Sequence, residues 1–269
     1  MELGHAGAGA PDYFPCHYGG SRLTFRGPRR DLGGDYIVTL GGSETFGRFV
    51  PAPFPLLLER KLGTPVVNLA CIHAGPDLWL QDPALTGVIR GARFGVMQVV
   101  GAINLSNRYY TVHPRRNDRF IAASPLLRAL YDDLDFTEIH FTRHLVQTLR
   151  SRGEERFRPV AAELRAVWQQ RMIAVLQTMP ERRVLYWIAG TPPPQHGGEP
   201  WQEPELVDQT MLDRLRPLVD DIIVHVVRDE KAKRPASLSM RAGERGSPGA
   251  SAHAEAADLL GAAISRRLM

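Results

Sequence analysis

The chain has 269 residues, 43% of them apolar and 23% charged, with a net charge of +4; this fits one globular domain with a full core. Two cysteines, Cys16 and Cys71, exclude a disulfide framework or a zinc cluster of their own, and no apolar run nears the roughly 18 residues of a membrane-spanning helix. Met1-Glu2-Leu3-Gly4-His5 is not a basic stretch leading into an apolar one, so a cytoplasmic location is expected.

In chain order, residues 1–35 are rich in Gly, Pro and aromatics without a period, and read as an irregular N-terminal wrap. The apolar run Tyr36–Leu40 reads as a buried strand that ends at the turn Gly41-Gly42-Ser43-Glu44-Thr45-Phe46-Gly47. A helix is expected over about Pro53–Leu62. Further buried strands are expected at Pro65–Leu69, Gly95–Val100, Val184–Ala189 and Ile222–Val227. The longest gap, about 105–180, is expected to be a helical insertion, with helices at Thr137–Arg150 and about Pro159–Met179. In the second helix Val160, Leu164, Val167, Trp168, Val175 and Met179 repeat at helical spacing. Residues 228–250 read as a polar loop, and Ser251–Leu268 as the closing helix. Short apolar strands alternating with helices predict an α/β fold: a flavodoxin-like, doubly wound parallel sheet of about five strands with helices on both faces.

Thirty of the thirty-three basic residues are arginine. Arg26, Arg29 and Arg30 form one cluster; Arg108, Arg115, Arg116 and Arg119 form another, with Tyr109, Tyr110 and Phe120 interleaved. A planar guanidinium suits carboxylate, phosphate or sulfate, so the second cluster is a candidate substrate-binding set, and nucleic acid is not the expected partner. His140 and His144, four apart on an expected helix, lack a third metal ligand, and no metal or organic cofactor is expected. Gly41-Gly42 matches neither GxGxxG nor a phosphate-binding loop.

Four features fall in order at carboxyl ends of strands or at a helix start: Ser43; Asn68 with Gly75; Gly101 with Asn104; and His253, which shares an inward stripe with Ala256, Leu260 and Ile264. The ordered set resembles the SGNH (GDSL-like) hydrolase superfamily, and the whole chain resembles an uncharacterised bacterial family within it. The resemblance implies a serine esterase: Ser43 as nucleophile, His253 as base, and the Ser43 amide, the Gly75 amide and the Asn104 side chain as oxyanion donors. The implied substrate is an ester of a small molecule or a sugar, with an anionic group as one option. The superfamily places an aspartate three residues before its histidine, where this chain has Ala250; a slower Ser43–His253 dyad is expected unless a backbone carbonyl or Asp229 takes the role. An impaired binding protein for an anionic ligand, or an acyltransferase using the same pocket, stands as the alternative.

Overall fold

The computed structural model describes residues 11–197, 199, 202–227 and 248–268. Five parallel strands form the central sheet: β1 (Ile37–Leu40), β2 (Val66–Asn68), β3 (Phe94–Gln98), β6 (Arg183–Ala189) and β7 (Asp221–Val226). A separate antiparallel hairpin consists of β4 (Tyr110–His113) and β5 (Arg116–Ala123). The sheet order is β2-β1-β3-β6-β7, so the five strands run 2-1-3-4-5 in their own sequence. This is the flavodoxin order, with its switch point between β1 and β3.

Side-chain alternation along each strand separates two apolar layers. Ile37, Phe94, Val96, Val184, Tyr186 and Ile188 face one layer, where α2 (Phe54–Leu62) and α9 (Ala250–Leu268) pack through Phe54, Leu58, Ala256, Leu260 and Ile264. Val38, Leu40, Met97, Leu185 and Trp187 face the other, covered chiefly by α6 (Thr142–Ser151) and α7 (Glu154–Thr178). Sheet faces covered by helices on both sides explain why the strands are near-continuous apolar runs.

The expected strands and the long helices form. The helix expected at Thr137–Arg150 starts only at Thr142, because residues 140–141 are drawn out against β5: the Phe120 N–H donates to the His140 carbonyl, and Arg119 bridges Phe141. The helix expected from Pro159 starts at Glu154, with Pro159 inside it, and buries Phe157, Val160, Leu164, Trp168, Met172 and Val175. The stretch expected as a helical insertion includes the β4–β5 hairpin.

The N-terminal segment is an irregular wrap over its described part. Its anchor is Arg26, 5% exposed, whose guanidinium donates to the carbonyls of Phe46, Gly47, Val50 and Pro51. Two arginines of the first cluster are engaged within the fold: Arg26 closes carbonyls at and after the end of α1 (Ser43–Phe46), and Arg30 pairs with Glu59 at 2.5 Å. Among the described residues, no helix is long and apolar enough to cross a membrane.

Candidate active site

A cavity of about 400 Å³ opens at the carboxyl edge of the sheet, at the β1–β3 switch point. Gly42, Ser43 and Glu44 bring α1 to it, His73 and Ala74 come from the loop after β2, and Gln98 to Gly101 and Asn104 from β3 and its following loop. Asp118 of β5, Arg143 and His144 of α6, and Glu203 and Glu205 after β6 close it.

The turn that presents Ser43 is fixed by one glutamine. Gln98 Oε1 accepts from the Gly42 N–H (2.9 Å), the Thr45 N–H (3.2 Å) and the Thr45 hydroxyl (2.5 Å), and its Nε2 donates to Glu44 Oε2 at 2.7 Å. The approach is close enough that a Cβ on Gly41 would meet Thr45 Oγ1 at 2.3 Å and Gln98 Oε1 at 2.5 Å, which is why a glycine stands there. Ser43 opens α1, where first-turn amides have no partner within the helix.

The His73 backbone N–H donates to Ser43 Oγ at 3.3 Å. His73 holds this place at φ +56°, a left-handed conformation that costs a residue other than glycine about 1 kcal/mol or more. Its carbonyl accepts from Asn104 Nδ2 at 3.1 Å, while Asn104 Oδ1 accepts from the Thr142 hydroxyl at 2.5 Å. Asn104 is thereby oriented with its amide group beside the His73 loop. Removal from water lowers the His73 imidazole below its ordinary value; Asp118 and Glu203 oppose that shift, and Arg48 and Arg143 add to it.

Four carboxyl groups line the cavity: Glu44, Asp118, Glu203 and Glu205. Arg143 Nη2 bonds Glu203 Oε1 at 2.8 Å and Glu205 Oε1 at 3.1 Å. Burial, and then the neighbouring Glu203, raise the carboxyls of both Glu44 and Glu205 above the usual range. Among the described residues, no group of three or more His, Cys, Asp or Glu is placed to hold a metal ion.

The residues singled out in the sequence do not all converge. Ser43 and Asn104 line the cavity; His253 does not. As its stripe predicts, His253 faces inward and is 1% exposed, stacked on the Phe54 ring with centroids 6.2 Å apart. Its Nδ1 accepts the Phe54 N–H at 3.1 Å, which places the proton of the neutral ring on Nε2. Both ring nitrogens are then committed, and none is left to take a serine proton. Burial, with Arg26 and His225 nearby, pushes this imidazole down to about 4. The Gly75 N–H, expected as an oxyanion donor, goes to Asn117 Oδ1 at 2.9 Å. Gly75 lets its loop press on the next: a Cβ there would lie 1.7 Å from the Asn104 carbonyl oxygen.

None of Arg108, Arg115, Arg116 and Arg119 lines the cavity. They lie on or just before the hairpin, where Arg108 pairs with Glu163 at 3.1 Å and Arg119 covers the Phe141 ring at 4.4 Å. The cavity's arginine is Arg143. An anionic ligand would meet four carboxyl groups there, beside Arg143. Ala250 is the first residue of α9 and exposed, whereas His253, one turn on, is buried. Asp229, and the expected loop up to residue 247, lie outside the described residues.

Sequence reasoning missed His73, Gln98, Arg143 and the three glutamates. Two signals were present: Glu44 directly follows Ser43, and Glu203-Pro204-Glu205 follows a strand at its carboxyl end. The others carry no local signature.

Over residues 1–269 the chain matches the family described as Domain of unknown function (DUF6473), and it belongs to that family. No curated protein matches it. Among solved structures it is similar to an acetyl-xylooligosaccharide esterase mutant from Geobacillus Stearmophilus (14% identity, TM-score 0.42, covering 87% of this chain and 93% of that one). It is also similar to a carbohydrate esterase family 2 enzyme of Corynascus thermopiles (Myceliophthora fergusii) (10%, 0.41, 91% and 70%) and to a family two carbohydrate esterase from Clostridium thermocellum in complex with cellohexaose (10%, 0.40, 91% and 67%).

Proposed function

We propose that this member of the DUF6473 family is a serine acyl hydrolase that cleaves an ester of a small molecule or a sugar, with Ser43 as nucleophile. The observation that carries the reading is the placement of Ser43. It opens α1 at the β1–β3 switch point, with the His73 N–H on its Oγ and the Asn104 side chain lining the same cavity.

In this reading the His73 imidazole takes the Ser43 proton. It is the histidine of the loop that already touches Ser43, and its lowered pKa keeps it neutral, as a base must be. Ser43 Oγ attacks the ester carbonyl. The amides of Ser43 and His73 and the Asn104 Nδ2 serve in this reading as the oxyanion donors, and one such donor is worth about 3 kcal/mol. His253 remains outside the chemistry because its acceptor nitrogen is bonded to Phe54. The carboxyl-lined wall suits a neutral ester whose hydroxyl groups donate to it.

A fluorophosphonate probe tests the reading, since it needs only an activated serine in an acyl site. The protein should be labelled at Ser43, Ser43→Ala should abolish labelling, and His73→Gln should slow it about 100-fold. His253→Gln should leave labelling of the folded protein in place. Absence of labelling at every pH where the protein is folded would make it a binding protein instead.

A further inference from the structure

We propose that Thr142 is a positioning residue for the Ser43 reaction: its hydroxyl fixes the Asn104 side chain so that the amide nitrogen, and not the amide oxygen, serves the nucleophile. The role rests on the acyl-hydrolase reading above, in which Asn104 Nδ2 meets the oxyanion.

Thr142 is the first residue of α6 and is 1% exposed. The helix has no side-chain cap, although its first-turn amides lack partners within the helix. The Thr142 hydroxyl goes elsewhere. It donates to Asn104 Oδ1 at 2.5 Å, with the Asp118 carbonyl farther off at 3.4 Å. Both of those oxygens can only accept, so the single hydroxyl proton lies on the shorter line.

With Oδ1 held, the two hydrogens of Nδ2 point away from Thr142. One goes to the His73 carbonyl at 3.1 Å. Among the described residues no bond takes the other, and Asn104 lines the Ser43 cavity. The His73 N–H on Ser43 Oγ, at 3.3 Å, keeps the same loop beside the nucleophile. Turned over about its last bond, the amide would set Oδ1 against the His73 carbonyl and against the negative oxygen of a tetrahedral intermediate. Oxygens that only accept repel one another. The orientation of this one amide therefore decides whether residue 104 stabilises the transition state or opposes it.

The hairpin delivers Thr142 to its place. The Phe120 N–H donates to the His140 carbonyl at 3.0 Å and Arg119 bridges Phe141, so the chain stays extended up to the residue where α6 begins. The same strand holds the loop after β2, since Asn117 Oδ1 accepts the Gly75 N–H at 2.9 Å. β5 thus sets both ends of the relay from Thr142 through Asn104 to His73.

Thr142→Val keeps the shape of the side chain and removes the hydroxyl. An oxyanion contact is made only in the transition state. With 4-nitrophenyl acetate, kcat should therefore fall about 10-fold at an unchanged KM, against about 100-fold for Asn104→Ala. Thr142→Ser, which restores the hydroxyl, should restore kcat. The deciding measurement is Thr142→Val in the Asn104→Ala background. A hydroxyl that acts only through Asn104 has nothing left to hold there, and no further loss is expected. A full additive loss would show a packing role and overturn the proposal, as would an unchanged kcat in the single variant or a serine variant as slow as the valine one. Should Thr142→Val not fold, Thr142→Ala removes the same hydroxyl with less bulk and is read in the same cycle. Failure of the underlying reading is seen separately, as a wild-type protein that the fluorophosphonate probe does not label at Ser43, and it removes the positioning role with it.

Discussion

His253 illustrates how a single bond redirects a residue. A histidine at the start of the last helix, after a serine turn in the first, is what the SGNH resemblance leads one to expect. Its Nδ1 instead satisfies the Phe54 N–H at the start of α2, one of the first-turn amides that a helix cannot pair internally. The consequence is a pH-dependent stability. The folded-state pKa, about 4, lies below the ordinary value of 6.5, so the unfolded chain binds the proton more readily. The contribution is complete above pH 6.5 and is lost as the pH falls toward 4; a shift of this size corresponds to the order of 3 kcal/mol. Thermal unfolding should show the wild type losing stability across that window and His253→Gln losing much less. A wild-type profile that is flat there would contradict the buried, neutral ring. The inward stripe from His253 to Ile264 was legible from helical spacing; the partner of the ring, 199 residues away in sequence, was not.

The elements were easiest to read where burial on both faces left a continuous apolar run, as in Ile37–Leu40 or Val184–Ile188. They were hardest where pairing decided the conformation. Tyr110–His113 and Arg116–Ala123 are polar and arginine-rich on their open faces, so they read as an insertion, although they close into a hairpin over the cavity. The same pairing holds residues 140–141 extended and delays α6. α1 is four residues long and has no side-chain cap; the network of Gln98, at the end of β3, replaces one. At the start of α9 the aspartate of the SGNH pattern is missing, yet restoring it is not expected to restore a triad. Ala250 is exposed on the first turn, while the His253 ring is buried. Ala250→Asp should therefore stabilise the protein by about 0.5 kcal/mol through the helix dipole, with no change in esterase rate. A gain in kcat would show that α9 can deliver a carboxylate to a working His253, contrary to the bonding described.

Across the whole molecule, net charge and local charge point in opposite directions. The chain is basic, and its field draws anions over about 10 Å at 0.1 M salt. The cavity at the switch point is lined by four carboxyl groups, with Arg143 already engaged by two of them. In the proposed acyl-hydrolase reading, overall charge governs encounter, and the carboxyl wall selects among esters. The serine and its place on the sheet edge were visible in sequence because strand, glycine turn and serine are contiguous. The acidic wall was not, because Glu44, Asp118, Glu203 and Glu205 come from three separate stretches that only the fold brings together. If the wall selects, an acetyl ester should exceed the succinyl ester of the same alcohol in kcat/KM by about 10-fold, equivalent to about 1.4 kcal/mol of repulsion. Added salt should narrow that ratio, since part of the wall is open to solvent: Glu203 is 49% exposed. A preference for the succinyl ester would return the arginines of the hairpin to the substrate path, and a ratio indifferent to salt would assign the selection to shape.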